Sequence, residues 1–75
     1  MTAVLTAAWA PAETSRRWVA ATATAVMHAD RLPTGEGWLP WLAVIGAEGV
    51  AEHRGPVQAT RLAAQRWAER QAKKG

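Results

Sequence analysis

Apolar residues recur along this chain at spacings of three and four, and clusters of proline and glycine divide them into three segments. Between Pro11 and Leu32, at about 100° per residue, Trp18, Ala21, Thr22, Ala25, Ala29 and Leu32 fall on one face, flanked by Val19 and Val26. Glu13, Arg17, Thr24, His28 and Arg31 lie opposite, with Glu13 and Arg17 in the favourable i,i+4 order. The pattern predicts an amphipathic helix over 11–32. Between Pro56 and Lys73, Thr60, Ala63, Ala64, Trp67, Ala68 and Gln71 share a face, and Arg66, Arg70 and Lys73 line the other. That predicts a helix over 56–73 whose terminal cations offset the negative end of its dipole.

The breaks are Pro33-Thr34-Gly35-Glu36-Gly37, a run of turn formers, and Arg54-Gly55-Pro56, where Gly can close one helix and Pro can open the next. Between them, residues 40–53 read as a helix opened by Pro40, with apolar residues on nearly every side as a central helix requires. The alternative is a strand from Trp41 to Ile45 turning at Gly46 to Gly49: β-branched Val44 and Ile45 favour the strand, Glu48, Glu52 and the alanines the helix. Residues 1–10 form a short N-terminal element, helix or strand.

Alanines recur at i,i+4 in every segment: Ala21, Ala25, Ala29; Ala43, Ala47, Ala51; Ala64, Ala68, Ala72. Such ladders let helix axes approach closely. The fold class expected is therefore all-α: a small three-helix bundle with a short N-terminal element, forming a single helical domain over 1–75.

Composition sharpens this picture. Among 75 residues, 18 are Ala and only 19 are larger apolar residues, five of them Trp, with no Phe, Tyr or Cys. Bulky burial falls to the tryptophans, each offering about 200 Å². Without cysteine there are no disulfides or thiolate metal sites, so a chain this short depends on close packing, self-association or a partner. No stretch reaches the ~20 apolar residues of a membrane span, and the opening residues lack the basic start of a signal peptide, so the chain reads as cytoplasmic and not membrane-bound.

Catalytic chemistry is sparse, and the chain reads as a non-enzyme without cofactor or metal. Ser15 is the one serine and has no Gly-x-Ser-x-Gly turn around it. His28 lies two residues from Asp30, a spacing that turns the side chains about 160° apart on a helix. Glu48, Glu52 and His53 are the nearest approach to a ligand cluster, but the residue three before His53 is Val50 instead of a carboxylate. Gly35-Glu36-Gly37 lacks the following Gly and Lys of a phosphate loop.

Two surfaces remain. Trp18 and Trp67 are expected in the core, whereas Trp38 and Trp41 bracket Pro40 after a glycine-rich loop. Tryptophan near a loop is the residue type most enriched at interface hot spots, so Trp38, Leu39 and Trp41 are the expected contacts for a larger protein or assembly. The reading that follows is an accessory subunit, adaptor or inhibitor; self-association is a variant of it. The alternative partner is nucleic acid. Residues 1–52 carry three basic and five acidic side chains, whereas residues 53–75 carry six basic and one acidic. Arg61, Arg66, Arg70, Lys73 and Lys74 would contact phosphates.

Overall fold

Between Ala25 and Arg31 burial alternates residue by residue: Ala25, Met27 and Ala29 are buried, and Val26, His28 and Asp30 between them are only half-covered. That is the period of a strand, and strands dominate the molecule. The computed structural model describes residues 9–12 and 16–74, apart from the side chain of Lys74. Its elements are β1 (Ala10–Pro11), β2 (Arg17–Ala21), β3 (Ala25–Arg31), β4 (Trp38–Gly46), β5 (Gly49–Arg54) and α1 (Arg61–Lys74). The strands form one antiparallel meander in the order β1-β2-β3-β4-β5, and α1 packs against β3 and β4.

The all-α three-helix bundle is therefore wrong, and with it the description of a small helical protein. Residues 11–32 hold two strands and part of a third in place of a helix. The alanine ladder misleads because residues four apart share a face in a strand as well as in a helix. Ala25 and Ala29 satisfy both periods, whereas Ala21 belongs to β2 and stands on the opposite face beside Val26; the half-covered Val26, His28 and Asp30 follow the period of two. The reversal between β2 and β3 also lacks the usual glycine signal. Thr22 and Ala25 close it, with the Thr22 amide donating to the Ala25 carbonyl at 2.8 Å and the Thr22 hydroxyl accepting from the Ala25 amide at 3.0 Å. No non-glycine residue there needs a positive φ.

Residues 40–53 are likewise a hairpin, β4 and β5, joined by the two-residue turn Ala47–Glu48. Gly49 takes φ 122°, open only to glycine without strain. The strand alternative for this segment is the one present. Pro40 sits in the middle of the sheet yet breaks no ladder. Its carbonyl accepts from the Gly55 amide at 2.9 Å, so its missing N–H faces the very end of β5, just past Arg54.

The helix expected over 56–73 begins at Arg61. Gln58 pairs with Trp38 through two backbone hydrogen bonds of 2.8 Å, which holds the preceding residues extended. Thr60 then caps α1, its hydroxyl accepting from the Ala63 amide at 3.1 Å. The expected N-terminal element lies largely outside the described residues; within them, β1 pairs with β2 through Ala10–Val19 and Pro11–Trp18.

The core lies between α1 and one face of the sheet. Ala20, Ala25, Met27 and Leu42 meet Ala68, with Trp9, Val44, Trp67 and Ala72 packed around them. Methyl-sized side chains at Ala64 and Ala68 let the helix backbone come close to the strands. Trp67 lies directly over Gly55: a Cβ there would stand 2.5 Å from the indole. Trp9 closes the helix side, donating from Nε1 to Glu69 at 2.8 Å.

Candidate functional site

Strand alternation sends the residues between the core positions to the opposite face. Register places Arg17, Val19 and Ala21 of β2 beside Asp30, His28 and Val26 of β3, which stand beside Leu39, Trp41 and Ala43 of β4. Among the described residues no element covers this face, since α1 packs on the other. A shallow groove of about 650 Å³ crosses it, bordered by Arg17, Val19, His28, Asp30, Leu32 and Leu39.

A side-chain network ties β2, β3 and β4 together on this face. The Arg17 guanidinium donates to both oxygens of Asp30, from Nε at 2.9 Å and from Nη2 at 3.1 Å. The Trp41 indole donates to the same carboxylate at 2.9 Å. His28, directly across from Trp41, stacks flat on the indole with ring centroids 3.7 Å apart and planes 1° from parallel. Burial lowers the His28 pKa below its usual 6.5, with a smaller push from Arg17; Asp30 and Glu52 oppose it. Its Nδ1 is buried without a hydrogen-bond partner. Asp30 thus orients the indole from its edge and the imidazole supports it from one side.

This corrects the expectation that His28 and Asp30 diverge. In a strand, residues two apart share a face, and Trp41 bridges the two. The Asp30 oxygens accept from Arg17 and Trp41, and no hydrogen bond joins them to His28. Ser15 lies outside the described residues. The same alternation sends Glu52 and His53 to opposite faces of β5, so the Glu48–Glu52–His53 cluster does not assemble. Among the described residues no three His, Asp or Glu side chains converge on a metal-sized site, and no helix is long and apolar enough to cross a membrane.

The expected protein-contact residues divide between the faces. Leu39 and Trp41 stand on the uncovered one, both half-buried by their neighbours. Trp38 sits opposite Arg31 on the helix side, its backbone tied to Gln58. The arrangement brings in Arg17, Val19, Val26, His28 and Asp30, which helical reasoning had scattered around a wheel. Period-two alternation from Ala25 to Asp30 was the signal that could have found them.

The basic residues lie on the far side of the molecule. Arg66, Arg70 and Lys73 are exposed on α1. Arg61 packs over the Trp18 ring at 4.0 Å, a cation–π contact on the helix side of the sheet. Lys74 ends the helix. The two candidate surfaces therefore face away from each other, one aromatic and one cationic. Compared with known proteins, the chain matches no family model, no curated protein and no solved structure.

Proposed function

We propose that this chain is a non-catalytic binding module that docks a larger protein or assembly through the uncovered face of its sheet. One observation carries the reading: Val19, Val26, Leu39, Trp41 and Ala43 stand together on a face that no described element covers. An antiparallel sheet needs only one apolar face for its own core, and the second is ordinarily polar. Here the second face holds an indole fixed by a carboxylate and a stacked ring, so little side-chain entropy remains to be lost on binding. The Arg17–Asp30 pair at its edge supplies polarity of the kind found at interface rims.

The test is capture of the tagged chain's partner with nuclease present, comparing surface variants whose fold is verified by circular dichroism. Val26→Asp and Leu39→Asp are expected to lose a partner that wild type and the Arg66→Ala/Arg70→Ala double variant retain. The reverse pattern would sink the proposal. It would favour the second reading, nucleic-acid binding by α1, which rests on Arg66, Arg70 and Lys73 being exposed while Glu69, the helix's one acid, is engaged by Trp9. That reading requires affinity to fall steeply with salt.

A further inference from the structure

Strand β5 is paired on one side only. It meets β4, α1 does not reach it, and all six of its residues are exposed. The Gly55 amide donates inward to Pro40. Since inward and outward positions alternate along an antiparallel strand, residues 49, 51 and 53 also face β4, and Val50, Glu52 and Arg54 point their N–H and C=O groups outward. Among the described residues nothing pairs with these groups. An unpaired edge of this kind is a template for another strand.

We propose that the edge pairs with β5 of a second copy of this chain, antiparallel, about a two-fold axis through His53 and normal to the sheet. Charge selects this partner and this register. With the axis at His53, Glu52 stands opposite Arg54 of the second copy, and Arg54 opposite its Glu52. Both positions are outward-bonding, so each pair exchanges N–H···O bonds in both directions, and each joins an acid to a base across the strands. Moving the axis to Glu52 sets the two Glu52 carboxylates face to face. Moving it to Ala51 sets each Glu52 against Val50 and leaves its charge without a cross-strand partner. In the His53 register the next outward position pairs Val50 with Pro56, whose missing N–H ends the ladder there.

Natural edge strands are commonly protected by charged side chains, above all lysine. An acid and a base two residues apart do the opposite: they make the edge complementary to itself. A two-fold axis normal to the sheet keeps both uncovered faces on the same side. The product is one continuous sheet of twice five strands, with a Trp41 platform in each half. This inference stands apart from the docking proposal, since it uses the edge of the sheet and not its face.

Sedimentation velocity on the full chain, over a concentration series at neutral pH, tests it. Wild type is expected to reach twice the chain mass of 8.1 kDa. Glu52→Arg and Arg54→Glu, each of which sets like charges opposite one another, are expected to weaken dimerisation at least about tenfold. Mixing these two variants pairs a chain with two bases against a chain with two acids, and the heterodimer is expected to form. Folding damage in either variant would not be repaired by the other, so recovery in the mixture reports the register itself. Wild type that stays at the single-chain mass to millimolar concentration overturns the proposal. So does a dimer indifferent to both substitutions, or a mixture of the two variants that remains monomeric.

Discussion

The two faces of the sheet differ in what covers them: α1 packs on one, and among the described residues nothing packs on the other. The face under α1 buries Ala20, Ala25 and Ala29 around Met27 and Leu42, with Trp9, Val44 and Trp67 packed around them, and the helix answers with Ala64 and Ala68. The uncovered face carries Trp41, Leu39, Val19 and Val26, tied together by the Arg17–Asp30–Trp41 network. In a chain this short, close backbone approach replaces bulk as the source of a dense core. Larger side chains stand on both faces: Trp9, Val44 and Trp67 pack around the core, and Trp41, Leu39, Val19 and Val26 stand on the uncovered face. The lesson is that residue size does not identify the core here; position relative to the helix does.

Adjacent residues of β3 offer the sharpest way to break that comparison. Met27→Asp, which buries an unpaired carboxylate beneath α1, is expected to cost about 3 kcal/mol or more and to unfold the chain. Val26→Asp, one residue away on the uncovered face, is expected to cost no more than about 1 kcal/mol. Urea titrations of the two variants measure both. Equal costs would mean that both faces are covered.

Smaller effects sharpen the picture of the covered face. Leu42→Ala, at a fully buried position, is expected to lose about 2–5 kcal/mol in the same titration. Gly55→Ala drives a methyl group into the Trp67 indole, where the nearest ring atom is 2.5 Å away, for an expected cost of about 1–3 kcal/mol. Tryptophan fluorescence should report the displaced ring. If this variant matched wild type, α1 would sit further from β5's end than described.

On the uncovered face the expected effects are smaller again. Arg17→Ala removes an ion pair whose arginine is about half exposed, and should cost roughly 0.5–1 kcal/mol, declining with added salt. The smallest effect is the dependence on pH. His28 has a pKa below its usual 6.5 when folded, so between the two values the unfolded chain binds more protons and stability rises with pH. This contribution is complete above about pH 6.5 and is lost as pH falls below it. His28→Phe, which retains an aromatic ring against Trp41, should flatten the slope of melting temperature against pH in that window. An unchanged slope would assign the dependence to other groups.

How much could be read from the chain varies along its length. The C-terminal helix was legible because Gly55 and Pro56 mark its approach and the stripe of Arg66, Arg70 and Lys73 obeys helical spacing alone. Its start at Arg61 was not, because the Gln58–Trp38 pairing that delays it joins residues far apart in sequence. Residues 11–32 were misread because alanine, the best helix former, occupies positions compatible with both periods, and because Thr22 closes a hairpin without glycine. Of the expected contact residues, Leu39 and Trp41 share the uncovered face, while odd–even alternation separates Trp38 from Leu39.

The sequence by itself determined the breaks at 33–37 and 54–56, the reliance on tryptophan and alanine in a chain without cysteine, and the basic stripe of the final helix. These follow from local chemistry: backbone freedom at glycine and proline, side-chain volume, and charge at a fixed spacing. Tertiary structure alone decided that residues 10–54 form a sheet, that α1 covers only one of its faces, and that His28, Asp30, Arg17 and Trp41 converge on the other. The physical reason is that a strand has no hydrogen-bonding partner within itself. Its stability, and the side on which its alternate residues are buried, are set by neighbours that only the folded chain brings together.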